Sequence, residues 1–470
     1  MLKTLREALP VVLPFWVLAL LLTWWLRHNG FFWDSILLGS TYGQWYYTTN
    51  FSTVFVPQEI AGYPPLFGMY LAAGWKLFGK TLPVSHFLML PLLLGTVWQV
   101  YLLAKRYLPK SWLLVGLLLV FLDPTLLAQS SQMAPDSVLV FLYLLALNSL
   151  LKKNNVLLAI ALVFLVLLSP RGQIMAVSLF LTNLVIHRLY QGSFTADYLV
   201  RLLKRYLPAG LMLGGWLALH YQEFGWIGFN RSSDWGAYAA VVDPMGFARN
   251  IGLIIWRLLD FGRVLLWLTV FVLLWQGRKH LSKEVKELIL LLLVPLLTVS
   301  MVLVWFTNPI AHRYWLVVYV FLGLLTARLL LEVQSKPVRF SVVGLLVASL
   351  LSGHFWVYPQ RVAKGWDATL AHLPYYELKK EMLTYLDQQR IPWQQVGTDF
   401  PNLASLASTD LTNDTRTLAN KDLTRQSYIL YSNVFNDFTD QELEALASDD
   451  WTVVKEVRQG QVYMQLFKRK

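Results

Sequence analysis

The chain alternates between apolar runs and short charged loops, and many of the runs reach about 20 residues, the length that an α-helix needs to cross a bilayer. Only 14% of the residues are charged, whereas soluble domains carry about 25%. A very hydrophobic soluble protein has no need of so many runs of this length between charged loops. The pattern therefore predicts a mainly α-helical, polytopic membrane protein.

The distribution of Lys and Arg predicts the topology. With the N-terminus in the cytoplasm, about eleven spans place nearly every dense basic cluster on the cytoplasmic side. This asymmetry accounts for the net charge of +12 without nucleic-acid binding. If 64–78 crossed the membrane, the later clusters would lie outside, so we expect this segment to be an amphipathic juxtamembrane helix in an outer loop over 27–83. The predicted spans are 10–26, 84–104, 112–128, 137–151, 156–168, 173–187, 207–221, 251–275, 288–306, 315–331 and 340–358.

The composition becomes polar after the last predicted span. Helical periodicity over 375–389, a second helix over 439–447 and a strand over 428–431 indicate an α/β fold. Segments 451–457 and 462–467, joined by a short polar turn, predict a hairpin. We therefore expect a small extracytoplasmic α/β domain over 359–470, following a transmembrane domain over 1–358.

Two arginines lie at predicted outer helix ends, where the positive-inside rule disfavours them. Arg171 stands in the sequence SPRG between the fifth and sixth spans, and His312, Arg313 and Tyr314 precede the tenth. A functional interpretation is a cationic site for a phosphate at the depth of the lipid headgroups. The alternative is that these side chains simply reach toward anionic headgroups.

Carboxylates lie on the same predicted face. Asp34 follows the first span, Glu59 lies in the same loop, and Asp136 precedes the fourth span. A carboxylate near a phosphate-binding arginine suits a transferase that deprotonates an acceptor hydroxyl while a phosphate departs. Asp136, directly after Pro135, would also serve as a helix cap. In the eighth predicted span, charges at i, i+3 and i+6 would share one face and form a network; they are Arg257, Asp260 and Arg263.

No cysteine, zinc motif, glycine-rich phosphate loop or Ser-His-Asp signature is present. The sequence therefore predicts neither a thiol enzyme nor an ATPase or hydrolase of those types. It assigns no metal ligands. The carboxylates permit a divalent cation, Mg²⁺ or Mn²⁺, without requiring one.

Residues 33–106 resemble the opening of the polytopic GT-C glycosyltransferases, which include protein O-mannosyltransferases and aminoarabinose transferases. In that family an acidic residue follows the first helix, and a long outer loop then leads through a Pro-Pro-Leu turn into an aromatic amphipathic helix ending in Leu-Phe-Gly. The later APDS sequence resembles the second outer loop of the family, and an Arg-Tyr pair resembles its late basic element. The matching residues here are Asp34, Tyr63-Pro64-Pro65-Leu66, Lys76-Leu77-Phe78-Gly79, Asp136 and Arg313-Tyr314.

The resemblance implies a membrane catalytic domain that moves a sugar from a polyprenyl-phosphate-linked donor to a hydroxyl of a protein, lipid or glycan acceptor, on the outer face of the cell membrane. It implies Asp34 as the general base of an inverting reaction. It implies Arg313 and Arg171 as ligands of the departing phosphate, with His312 and Tyr314 beside them. Further site candidates by position are Asp136, Glu59, Tyr63, Pro64 and His86.

Two other functions stay open at this stage. A transporter or flippase for a lipid-linked saccharide also needs many helices and cationic sites, although transporters usually show repeats and broken helices. An inactive GT-C-like scaffold that binds glycan or a partner through its tail is the other alternative. It rests on departures from the family pattern at Ser35, where Glu is common, and at Tyr63 and His86, where basic residues are usual.

Overall fold

The computed structural model describes residues 2–190, 192–228, 236–277, 280–307, 309–362, 364–435 and 437–470. They form a helical bundle followed by a tail that contains one five-stranded sheet. The predicted fold class, a polytopic helical membrane protein with a small α/β region at its C-terminal end, is confirmed. The helices of the bundle are α1 (Leu2–Leu26), α2 (Tyr42–Thr48), α3 (Leu66–Phe78), α4 (Leu82–Tyr107), α5 (Leu113–Phe121), α6 (Pro124–Ser130), α7 (Pro135–Leu151), α8 (Asn155–Leu168), α9 (Pro170–Tyr190), α10 (Ala196–Phe224), α11 (Pro244–Leu259), α12 (Arg263–Gly277), α13 (Lys283–Leu303), α14 (Leu316–Leu330) and α15 (Lys336–Ser352).

Within the described residues, six helical segments are long and apolar enough to cross a membrane, and two bent helix pairs raise this number to eight. Three further apolar helices, α3, α7 and α8, are shorter. The predicted number of about eleven spans therefore stays a prediction. The helix α14 lies at the centre of the bundle, because nearly all its side chains are buried against α5, α12 and α13.

Two predicted spans are not continuous helices. The segment 112–128 divides into α5 and α6, which meet at 73°, and 251–275 divides into α11 and α12, which meet at 91°. The first break falls at Asp123, whose carboxylate caps α6 by accepting from the backbone N–H groups of Thr125 and Leu126, both at 3.0 Å. Pro124 then occupies the first helical turn, where its missing N–H costs nothing. The prediction of an unbroken helix in each segment was wrong, because the apolar pattern continues through both breaks and does not mark them.

The second break falls at Asp260, Phe261 and Gly262. Phe261 and Gly262 adopt positive φ angles of 55° and 85°, which end the helix. A Cβ on Gly262 would lie 2.0 Å from the carbonyl oxygen of Ser349, so only glycine fits this close approach. Because the helix stops here, the prediction that Arg257, Asp260 and Arg263 share one helical face was wrong.

A buried ion pair joins the two breaks. The Arg263 side chain has no solvent exposure, and its Nε and Nη2 donate to Asp123 at 2.6 and 3.0 Å. The guanidinium also lies 3.9 Å from the centre of the Tyr319 ring on α14. Asp260 accepts the backbone N–H of Phe261 at 2.9 Å. Arg263 thus pairs across to the other bent helix pair, whereas Arg257 and Asp260 form the part of the predicted network that is present, at 3.9 Å.

The loop between α1 and α4 folds over one end of the bundle. Helix α3 has 13 residues, too few for the ~20 that a span requires. It buries Trp75, whose indole N–H donates to Ser85 at 2.8 Å, and it exposes Leu77 and Phe78 at its end. This agrees with the amphipathic helix predicted over 64–78.

The tail contains α16 (Tyr375–Gln388), α17 (Leu406–Thr409), α18 (Asp440–Leu446) and strands β1 (Val396–Thr398), β2 (Ala419–Asn420), β3 (Tyr428–Ser432), β4 (Trp451–Gln459) and β5 (Val462–Arg469). The strand order is β2-β1-β3-β5-β4. Strand β1 pairs in parallel with β2 and β3, whereas β5 pairs antiparallel with β3 and with β4 in the predicted hairpin. The two shortest strands, β1 and β2, were not predicted.

The tail packs tightly against the first loop. Phe32 is 1% exposed and belongs to the apolar core of the tail, where it contacts Tyr375 and His372. The backbone N–H of Phe31 donates to the carbonyl of Thr409 at 2.7 Å. The first loop therefore contributes a buried side chain to the core of the C-terminal region, and the domain boundary at residue 359 stays a prediction.

We predict that Asp123→Ala lowers the stability of the protein by about 3–5 kcal/mol, because it leaves Arg263 buried without a partner carboxylate. The melting temperature of the purified protein in detergent measures this loss of stability, and we expect it to fall strongly. The control is Asp197→Ala, which breaks the exposed pair of Asp197 with Arg201 on α10 and should cost less than about 1 kcal/mol. Equal shifts for the two variants would contradict the prediction.

Candidate active site

Arg313 is the centre of a buried charge cluster. It lies in a short 3-10 turn directly before α14, and its side chain is 7% exposed. Its Nη2 donates to Asp34 Oδ2 at 2.5 Å, its Nη1 donates to Asp367, and its Nε lies 3.7 Å from Asp136 Oδ2. Three carboxylates from the first loop, α7 and the tail therefore share one guanidinium.

A second arginine neutralises Asp136. Arg171, at the start of α9, donates through both terminal nitrogens to the two carboxylate oxygens of Asp136, the Nη2 bond measuring 3.2 Å. Its guanidinium lies over the Tyr314 ring at 4.6 Å. Asp136 is buried in the first turn of α7 and faces Arg171. Helix α7 has no side-chain cap, so Asp136 does not serve as the helix cap that its position suggested. Among the described residues, three carboxylates against two guanidiniums give the cluster a formal charge of −1.

The backbone before Asp34 holds its carboxylate toward Arg313. Trp33 has a φ of 56°, which is uncommon for a bulky residue and costs about 1–3 kcal/mol. The Ser35 hydroxyl closes the turn by accepting from the Phe32 N–H at 2.9 Å and donating to the Phe32 carbonyl at 2.7 Å. A π-helical turn, Ile36–Thr41, follows. The serine at the position where the family often has Glu thus has a structural role in this turn.

A cavity in the bundle ends at the two arginines. It lies between α7, α9, α13 and α14, and apart from Arg171, Arg313 and Tyr314 its walls are apolar. An apolar cavity with cationic groups at one end suits an amphipathic anion. The apolar lining residues are Leu139, Ile174, Met175, Val299, Leu303, Leu316 and Val317.

One residue of the predicted Tyr-Pro-Pro-Leu turn, Tyr63, lies near the cluster. Pro64 is buried. Burial, followed by the charge of Asp34, raises the pKa of the Tyr63 phenol far above its ordinary value. Tyr63 is therefore a neutral hydroxyl close to the carboxylate, at the position where the family usually has a basic residue.

The remaining predicted candidates lie elsewhere. His312 precedes Arg313 in sequence, but its Nε2 lies 2.7 Å from Asp260 at the α11–α12 break. His86 contacts the carbonyl of Asn29 at 3.0 Å through Nε2. Glu59 is exposed on the loop. The structure thus brings together Asp34, Tyr63, Asp136, Arg171, Arg313 and Tyr314, and places His312, His86 and Glu59 outside the cluster.

Sequence reasoning missed Asp367 and its partner Gln129. Asp367 comes 54 residues after Arg313, in a 3-10 turn at the start of the tail. Gln129, at the end of α6, donates from Nε2 to the Asp367 carbonyl at 2.9 Å and to its carboxylate at 3.4 Å. No sequence pattern marks a tail aspartate that folds back onto the bundle, although the bend after Asp123 is what directs α6 toward it.

The aspartates of the cluster face guanidinium groups. Across the part of the chain that the structure describes, no group of three or more His, Asp or Glu side chains is arranged to hold a metal ion. The sequence permits Mg²⁺ or Mn²⁺ without requiring either, and this expectation stays a prediction.

The helical bundle, with its buried Asp-Arg cluster and its α/β tail, shares its overall fold with solved structures. Crystal structures of ArnT from Cupriavidus metallidurans, one bound to undecaprenyl phosphate and one in the apo state, superpose on the chain with a TM-score of 0.54 at 13% identity, covering 98% of both chains. The resemblance predicted from the sequence is thereby confirmed at the level of the fold. The oligosaccharyltransferase of Archaeoglobus fulgidus aligns over 80% of this chain and 59% of its own, with a TM-score of 0.37 and 16% identity. No family model and no curated protein matches the sequence.

The contact between the tail and the Asp34 loop contains a buried histidine. The His372 ring stacks on Phe32 at 4.8 Å, and its Nδ1 bonds to the carbonyl of Thr369 at 2.7 Å. Its Nε2 has no hydrogen-bond partner among the described residues. Burial lowers the pKa of His372 to about 4, so the ring is neutral at physiological pH.

Because His372 has a lower pKa in the folded than in the unfolded protein, its contribution to stability is complete above pH ~6.5 and is lost as the pH falls toward 4. We predict that acidification from about pH 7 to about pH 5 destabilises the wild type by about 2 kcal/mol more than it destabilises His372→Gln. Melting temperatures across this pH range measure the difference. The control is His28→Gln, at an exposed position, which should keep the wild-type pH dependence; an identical profile for His372→Gln would disprove the assignment.

Proposed function

We propose that this chain is a membrane glycosyltransferase that moves a sugar from a polyprenyl-phosphate-linked donor to an acceptor hydroxyl, with inversion. The observation that carries the proposal is the bond between Asp34 and Arg313 at the end of an apolar cavity that a second guanidinium also lines. The fold shared with ArnT, which binds undecaprenyl phosphate, supports the donor class.

In the proposed reaction Asp34 is the general base. Its Oδ2 is held by Arg313, so Oδ1 accepts the proton of the acceptor hydroxyl while the hydroxyl oxygen attacks the anomeric carbon. The bond between that carbon and the phosphate oxygen breaks, and the phosphate leaves with the electron pair. The guanidiniums of Arg171 and Arg313 stabilise the charge that develops on the phosphate. A single displacement with one base inverts the anomeric configuration.

The small cavity between α7, α9, α13 and α14 would have to widen to accept the first isoprene units of the donor. Its apolar walls match a hydrocarbon chain, and the two arginines with Tyr314 match the phosphate. Tyr63, a neutral hydroxyl near Asp34, would then face the sugar or the acceptor. The acceptor would approach from the side of the loop and the tail.

We further propose that the protein lies in the cell membrane with its N-terminus in the cytoplasm and its tail outside. The basic residues at the opposite ends of the helices support this orientation. Lys105 and Arg106 end α4, Arg188 lies in the last turn of α9, and Arg328 lies in the last turn of α14, each remote along its helix from the Asp34 cluster.

One observation favours a transporter for a lipid-linked saccharide. Transporters often contain broken helices, and this bundle has two bent helix pairs, contrary to the expectation of continuous spans. However, the fully buried Arg263–Asp123 ion pair holds the two breaks together. Purified protein given a labelled lipid-linked sugar distinguishes the two functions: sugar transfer supports an enzyme, whereas lipid movement alone supports a transporter.

We predict that Asp34→Asn reduces the rate of sugar transfer by at least about 10²-fold, because the amide cannot accept the acceptor proton. The assay uses the full chain in lipid nanodiscs with a labelled polyprenyl-phosphate sugar. The matched control is Glu59→Gln, a change in the same loop at an exposed position, which should retain wild-type activity. Full activity of a folded Asp34→Asn protein would refute the assignment of the base.

A further inference from the structure

The charge of the cluster conflicts with the binding of an anionic donor. Asp34, Asp136 and Asp367 have side-chain exposures of 18%, 4% and 4%, and among the described residues two guanidiniums face them. A phosphate would add a further negative charge where water screens it poorly. Either one carboxylate must leave the arginines or a positive charge must be added before the phosphate can bind there.

Two of the three carboxylates are firmly held. Asp136 makes a two-bond contact with Arg171 from the first turn of a long helix. Asp34 is fixed by the turn that Ser35 closes, between the strained Trp33 and the π-helical turn. Movement of either carboxylate away from the arginines would break these contacts.

Asp367 is differently placed. It lies in a single 3-10 turn, Trp366–Ala368, which begins after Gly365 in a left-handed conformation with φ of 71°. Besides Arg313, its carboxylate contacts Gln129 Nε2 at the long distance of 3.4 Å. A short turn that begins at a glycine can change direction at lower cost than the first turn of a long helix.

We infer that Asp367 determines access to the donor site: in the donor-free protein its carboxylate occupies the Arg313 Nη1–H group, and the donor phosphate displaces it. The inference rests on the proposed function, since it assumes a lipid phosphate at Arg313. A phosphate oxygen replaces one carboxylate oxygen on the guanidinium, so the number of anionic partners of Arg313 stays the same. Burial of the isoprenoid chain against apolar side chains of the bundle supplies the binding energy that inorganic phosphate lacks.

The displacement would reach the tail. Trp366 donates from its indole N–H to the Asn433 carbonyl at 2.7 Å, next to the end of β3, and Thr369 caps the turn that leads to His372. Movement of Asp367 therefore loosens 366–372, which also packs on Phe32, two residues before Asp34. Binding of the donor would thereby change the packing of the face where the acceptor arrives.

The test compares binding of polyprenyl monophosphate to the full chain in nanodiscs for the wild type, Asp367→Asn and a control. The amide keeps the size of the side chain but removes the competing charge, so we expect the dissociation constant to fall about tenfold. The control, Asp387→Asn, lies in the same tail in a half-exposed pair with Arg416 and should bind as the wild type does. Unchanged or weaker binding by Asp367→Asn would overturn the inference.

Hydrogen–deuterium exchange of the unmodified protein provides a measurement that needs no variant. Addition of polyprenyl monophosphate should increase exchange over 366–372, and inorganic phosphate at the same concentration should not. An unchanged or slower exchange with the lipid would contradict displacement, and an equal response to inorganic phosphate would contradict the role of the chain. If the wild type binds no polyprenyl phosphate at all, the proposed donor class fails. If it binds but Asp367 stays in place, only this inference fails.

Discussion

The shared contacts of Arg313 are the interaction on which the rest of the structure depends. A guanidinium this deeply buried is stable only if carboxylates compensate for the water that it has lost. Those carboxylates come from three distant parts of the chain: the loop after α1, the first turn of α7 and the tail. The cluster can therefore form only when the bundle, the first loop and the tail have all reached their final positions.

Adjacent residues connect this cluster to the second buried network. His312 faces Asp260 at the α11–α12 break, and Arg313 faces the aspartates of the site. Arg263 then joins that break to Asp123, where α6 begins, and α6 presents Gln129 to Asp367. The polar residues at the two helix breaks thus form, with the Arg313 cluster, a closed ring of contacts around the start of α14. Their position is explained by the construction of the site, without a transport pathway.

Much of this arrangement follows from the sequence, because apolar length and the position of basic residues are strong signals in a membrane protein. They bring Asp34, Asp136, Arg171 and Arg313 to one end of the bundle, where the structure finds them in contact. The helix breaks escaped prediction because apolar residues continue on both sides, and local backbone angles end the helices. Asp367 escaped because its position depends on how the tail folds back, which no local pattern encodes. The sequence also suggested arginines free to bind phosphate, whereas both are already paired with carboxylates.

The contacts of the tail with the first loop and with Arg313 indicate what the tail does. A separate module that selected an acceptor or bound glycan would have a core of tail residues alone and would leave the Asp-Arg cluster intact when removed. Here Phe32 of the first loop is part of the core of the tail, the Phe31 N–H bonds to Thr409, and the tail supplies Asp367 to Arg313. Removal of the tail would therefore uncover the backbone around Asp34 and remove one of the anions around Arg313. This mutual dependence argues against a scaffold with an independent glycan-binding domain, and in favour of one site built jointly by the bundle and the tail.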